Sequence, residues 1–173
     1  TTTLSDILKS RSGVYHSAAA ESEGMNLARP LRDSNKPGQF YYYNNWDFNV
    51  AGAIFEKYSN KRIYDAFYEE IAKPIGMMDY RNHIVELSSN YQEVIDANAD
   101  GFYQYEPELS KYPAYHFRMS AYDLALYGQL YLNRGQWNGE QIIPANWIDR
   151  STVPYSMVEQ DYGLAYGMLW DVL

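Results

Sequence analysis

Apolar residues recur at helical spacing in several stretches of the chain and at alternating spacing in one. In Thr1–Ser12, Leu4, Ile7 and Leu8 share a face and Thr3 with Asp6 makes a capping-box-like start, predicting a short helix that Gly13 ends. From Tyr15 to Phe40 no period is sustained, and Gly24, Pro30, Pro37 and Gly38 punctuate a long irregular excursion. A second helix is predicted from about Asn45 to Ser59, with Val50, Ile54 and Tyr58 in one row and Phe48, Ala51 and Phe55 in the next. Its polar face holds Asp47, Glu56 and Lys57.

A third helix is predicted over about Ile63–Ala72, ending before Pro74, whose ring opposes continuation past Lys73. Asp79–His116 reads as irregular and polar. Ser120 and Asp123 fit a capping box for a fourth helix with Leu124, Tyr127 and Tyr131 on one face, stopped at Gly135. Asn138-Gly139 signals a tight hairpin, and Pro144 opens a short helix containing Trp147 and Ile148. Leu164, Tyr166, Met168, Trp170 and Val172 alternate, predicting a strand over Tyr162–Leu173. A lone strand leaves its backbone unpaired, so this segment is expected to pair with a hairpin or another chain, and self-association through it is expected.

At 173 residues, 46% hydrophobic and 21% charged, the chain has the makings of one globular core. A net charge of −8 opposes binding to a phosphate backbone, so nucleic acid is not an expected partner. No apolar run is long enough for a membrane span, and Thr1–Ser10 lacks the basic and apolar regions of a signal peptide. With 0 Cys there is no disulfide framework and no thiol nucleophile. Tyr, at 19 against 6 Phe, supplies rings suited either to half-wet grooves or to ordinary packing.

Local catalytic motifs are absent: no Ser-x-x-Lys, Lys-Thr-Gly, Gly-x-Ser-x-Gly, His-Glu-x-x-His or phosphate-binding glycine loop occurs. His16, His83 and His116 lack spaced partners, so no metal site and no cofactor are expected. Asp96-Ala97-Asn98-Ala99-Asp100-Gly101 matches the first half of a calcium loop, but Pro107 stands where a bidentate Glu is needed. Tight calcium binding is therefore not expected, and side-chain-capped turns account for the run.

One constellation is more specific. In Pro37-Gly38-Gln39-Phe40-Tyr41-Tyr42-Tyr43-Asn44-Asn45-Trp46, a Tyr-x-Asn directly precedes the amphipathic helix, and Gly52 follows nine residues after Tyr43. This resembles the second motif of the serine β-lactamase and penicillin-binding protein superfamily, in its class C β-lactamase and esterase-like branch. Thr2–Val14, Lys73-Pro74-Ile75-Gly76-Met77, Met119–Ala125 and Gly135–Gly139 are similar to further segments of that family, in the same order. The resemblance covers nearly the whole chain; it departs in that Ser-x-x-Lys would precede Thr1 and the Lys-Thr-Gly or His-x-Gly strand would follow Leu173.

The resemblance implies an α/β (α+β) fold of the β-lactamase/transpeptidase type. Residues 1–155 would form the helical domain and 156–173 the start of a return strand into an incomplete sheet. It implies acyl transfer through a seryl ester, with a small-molecule ester, amide or β-lactam as substrate. It also implies a periplasmic or cell-surface location. Tyr43 would be the base or proton relay; Asn45 would donate its amide to the substrate or hold the lysine; Trp46, Tyr15 and Arg118 would line the groove. Alternatively Asn45 caps the helix and Tyr43 packs beneath it. The chain alone is expected to be inactive. The competing reading is a non-catalytic module whose tyrosines stack on sugars or peptides.

Overall fold

In the computed structural model, which describes residues 1–173, the first helix begins as its capping box predicts. The Thr3 hydroxyl accepts from the Asp6 N–H at 3.2 Å and the Asp6 carboxylate takes the Thr3 N–H at 2.9 Å, opening α1 (Leu4–Leu8). It ends well before Gly13, because Ser10 turns to φ 52° and Arg11 reaches away to Ser156 Oγ and the Tyr155 carbonyl, at 2.8 and 2.6 Å. The irregular excursion contains one unexpected helix, α2 (Glu23–Ala28), capped by Ser22. It buries no residue, so it carries no apolar stripe to read.

Helix α3 (Asn45–Ser59) has the bounds expected of it: Asn44 Oδ1 accepts from the Asp47 N–H at 2.9 Å, and Asn60 closes the helix at φ 55°. Its apolar rows are only half covered. Val50 is buried, whereas Phe48, Ile54, Phe55 and Tyr58 border open space. Asp47, expected on the polar face, is instead fully buried.

Helix α4 (Ile63–Phe67) does not stop before Pro74. It widens into a π-helical turn over Tyr68–Ala72 and resumes as α5 (Lys73–Ile75), with Pro74 directly after the widened turn. Gly76, at φ 79°, ends the run.

Asp79–His116 is more ordered than its pattern suggests. It holds β1 (Ile84–Leu87), α6 (Tyr91–Asp96), β2 (Gly101–Gln104) and β3 (Ala114–Phe117). β2 lies between the others, parallel to β1 with Ile84 opposite Gly101 and antiparallel to β3 with Phe102 opposite His116. The calcium-loop half-match falls between α6 and β2. There Asp100 Oδ2 takes the N–H groups of Arg81 and His83 at 2.9 and 2.7 Å, and Asp96 takes the Gln92 amide at 2.7 Å.

Ser120 caps α7 (Ala121–Leu132) by accepting from the Asp123 N–H at 3.1 Å, but Asp123 does not complete the box. Its carboxylate takes the N–H groups of Met78, Asp79 and Tyr80, at 3.1, 3.1 and 2.7 Å. Leu124, expected to face inward, is 57% exposed, and the fully buried residues of this helix are Asp123 and Leu130. The Asn138-Gly139 hairpin joins β4 (Gln136–Trp137) to β5 (Glu140–Gln141), both turn residues having positive φ. Pro144 sits just outside α8 (Ala145–Ser151), as its N-cap.

The expected single strand at the C-terminus is broken. β6 (Ser156–Glu159), β7 (Leu164–Tyr166) and β8 (Asp171–Val172) form an antiparallel sheet with β7 central, and the chain reverses through Leu169 at φ 62°. Of the two partners expected, a hairpin or another chain, it is hairpin pairing within the chain that flanks β7 on both sides, and self-association by that route has no support.

The main core gathers Ala72, Ile75, Met77, Tyr80, Leu130, Ile143 and Ile148 where α5, α7 and α8 meet. Many tyrosines are interior. Tyr64, wholly buried, donates to the Phe102 carbonyl at 2.6 Å and accepts from the His116 N–H at 3.2 Å, while Tyr103 donates to Glu56 Oε1 at 2.7 Å. No helix is long and apolar enough to cross a membrane.

Candidate active site around the start of helix α3

Three consecutive residues at the entry to α3 have three different duties. Asn44 is the cap, and its Nδ2 also donates to the Tyr42 carbonyl at 2.6 Å, so helix capping does not fall to Asn45. The Asn45 amide donates to the Ala20 carbonyl, and Asn49, one turn on, donates to the Ala19 carbonyl at 3.2 Å. Glu106 Oε1 takes the Ala20 N–H at 2.8 Å, so this peptide segment is held from both sides. Asn45 keeps its Oδ1 and its second amide hydrogen for another partner.

Tyr43 is 47% exposed, its ring edge-on to Phe48 at 4.9 Å and to Tyr166 at 5.9 Å. It stands on the wall of an open apolar groove of about 1080 Å³, with Phe48, Phe55, Tyr115, Tyr166 and Leu169 around it. Gly52 lets β3 approach: a Cβ there would lie 2.5 Å from the Tyr115 ring. Partial burial raises the Tyr43 phenol above its ordinary value, and the Asp171 carboxylate raises it further. The neighbouring Tyr41 phenol is pushed up to about 12 by burial, Asp171 and Tyr43. As folded, Tyr43 is a neutral phenol at pH 7.

The remaining candidates do not gather around Tyr43. Trp46 turns to another cavity, where its indole lies 5.7 Å from the His16 ring. Tyr15 is buried edge-on to Tyr42 at 5.8 Å and borders neither cavity. Arg118 donates to the Val94 and Ala97 carbonyls at the end of α6, with its guanidinium over the Phe102 ring at 4.9 Å. Its role there is to close a helix.

Asp47, in the first turn of α3, was expected on the polar face. It is 0% exposed and both carboxylate oxygens lack a well-formed hydrogen bond. Burial pushes its pKa up to about 7; Ser12 and Asn44 offset part of that rise, and Asp6 adds to it. The folded state therefore holds a proton that the unfolded chain releases near pH 4, and stability falls as pH climbs from about 4 to about 7. Asp47→Asn is expected to flatten that slope and to raise stability at pH 8 by about 2 kcal/mol, read from urea unfolding at several pH values. An unchanged slope would show that Asp47 does not hold the proton.

The family model described as Beta-lactamase matches residues 1–171. No curated protein sequence gives a significant match. Among solved structures, an octameric penicillin-binding protein homologue from Pyrococcus abyssi superposes with a TM-score of 0.62 at 23% identity, covering 98% of this chain and 43% of that one. A proposed 6-aminohexanoate-dimer hydrolase from Bacillus anthracis superposes with a TM-score of 0.63 at 19% identity, covering 98% and 47%. The chain thus spans less than half the length of these solved relatives.

Proposed function

This chain belongs to the beta-lactamase family, and on that premise we propose that it is the central portion of a serine hydrolase that transfers an acyl group from an ester, amide or β-lactam. Residues 1–155 would be its helical domain and 156–173 the opening of the return into the sheet. The observation that carries the reading is Tyr43 on the wall of an open groove along α3; Asn45, two residues on, is held by the Ala20 carbonyl outside the groove lining and retains hydrogen-bonding capacity. Ser10 and Ser12, in the turn after α1, are 1% and 2% exposed and unsuited to attack a substrate, and Ser59, the serine in the groove lining, lies at the opposite end of α3 from Tyr43. The nucleophile would come from outside these residues and enter along the groove.

In the proposed reaction, the serine oxygen attacks the acyl carbon as its proton passes toward Tyr43 Oη. The proton then goes to the leaving oxygen or nitrogen as that bond breaks, and water hydrolyses the seryl ester. Asn45 would orient the substrate or the lysine that stabilises the tyrosinate. The test is covalent labelling with a tagged penicillin and a fluorophosphonate. The 173-residue chain should remain unlabelled, and a longer protein carrying Ser-x-x-Lys upstream should label at that serine. Labelling of the short chain at Ser12, Ser17 or another internal serine would overturn the assignment.

A further inference from the structure

The cavity faced by Trp46 shares no lining residue with the apolar groove and has a volume of about 480 Å³, within the usual range for small-molecule sites. Three separate segments build it: the first turn of α3 supplies Trp46, the connection between α1 and α2 supplies His16 and Ser17, and the connection between β2 and β3 supplies Leu109 through Tyr112.

Its chemistry is one-sided. Lys111 brings an ammonium and His16 an imidazole, and no Asp or Glu lines the cavity although the chain carries 22 acidic residues against 14 basic. Glu21, close in sequence, is already committed to Arg29 at 2.6 Å with its side chain 3% exposed. Both serine hydroxyls in the lining are used as acceptors within the protein: Ser17 Oγ takes Arg29 Nη1 at 3.0 Å, and Ser110 Oγ takes the Tyr112 N–H at 3.1 Å. A hydroxyl so engaged still has its own hydrogen to donate. The cavity therefore offers donors and positive charge to a ligand. Beside them lies a flat indole, tilted 58° from the His16 ring.

We propose that this cavity binds a small aromatic carboxylate, its anion held by Lys111 and the hydroxyls of Ser17 and Ser110 and its ring laid on Trp46. Charge-assisted hydrogen bonds favour the anion over a neutral ligand of the same shape, and the indole face supplies apolar contact. The inference needs no nucleophile and does not rest on acyl transfer, so its failure would leave that reading standing.

Calorimetric titration of the 173-residue chain with indole-3-acetate and with neutral indole-3-acetamide tests it. The acetate should bind with a Kd of about 1 mM or tighter, at least about tenfold tighter than the amide. Lys111→Met should bring the acetate down to the level of the amide, and Trp46→Leu should weaken both ligands. Lys57→Met, which alters a lysine beside Tyr58, should change neither. Thermal unfolding of each variant verifies that it is folded. Equal binding of acid and amide, no binding of either, or an unaltered acetate affinity in Lys111→Met would overturn the proposal.

Discussion

In a longer protein that joins this chain to a Ser-x-x-Lys serine, Tyr43→Phe is expected to lower kcat by about 10²–10⁴-fold, the range for loss of a general base. The substitution removes one oxygen and leaves the ring, so the edge contacts to Phe48 and Tyr166 at 4.9 and 5.9 Å persist and the start of α3 keeps its shape. The oxygen is the costly part to activate. Against a free phenol pKa of about 10, holding tyrosinate at pH 7 requires roughly 4 kcal/mol, and both burial and Asp171 increase that requirement in this chain. A neighbouring ammonium must more than offset them, which is the task the proposed lysine would perform. KM should move far less than kcat, because the ring that borders the groove is retained. Full activity in the Phe variant would reduce Tyr43 to a packed ring.

Asp123→Ala is expected to cost about 3–6 kcal/mol of folding stability, from three donors left unsatisfied at about 1–3 kcal/mol each with partial recovery by water. The carboxylate holds the N–H groups of Met78, Asp79 and Tyr80 and so fixes the turn after α5 against α7. Tyr80, 1% exposed, is the core residue that this turn delivers, its ring edge-on to Phe67 at 5.2 Å. Domains of this kind have only about 5–15 kcal/mol in total, so the Ala variant is expected to be partly unfolded at 25 °C. Asp123→Asn, which keeps one acceptor oxygen, should fall between it and the native chain. Ser120→Ala removes only the helix cap and should cost about 1 kcal/mol. Urea unfolding of the three variants separates these roles, and equal losses for Asp123→Ala and Ser120→Ala would show that the bracket contributes nothing beyond the cap.

Asp123 and Asp47 are both placed by contacts that residue order does not specify. Asp123 follows Ser120 at capping-box spacing, and the local half of the box forms. The other half is lost to backbone groups more than forty positions away. Asp47 likewise lies at a helical position that solvent usually occupies, yet α1 and the Ser10–Ser12 turn cover it. Trp46 lies three residues after Tyr43 yet lines a different cavity.

Local features were determined by the sequence itself, since each depends on neighbours within a few residues. They include the capping box of α1, the bounds of α3, the start of α7, the Asn138-Gly139 hairpin and the Tyr43-x-Asn45 entry to a helix with Gly52 nine residues on. Tertiary structure decided the rest. Four-residue strands such as β1 and β3 have too little pattern to announce themselves and form because partners distant in sequence complete their hydrogen bonds. The alternation over Tyr162–Leu173 is real, but Leu169 reverses it into a hairpin that a period-two pattern cannot distinguish from one extended strand. Which apolar face of α3 is covered and which is left open beside Tyr43 was settled by the packing of α1, β3 and α4, because burial is a property of the assembled surfaces and not of any one segment.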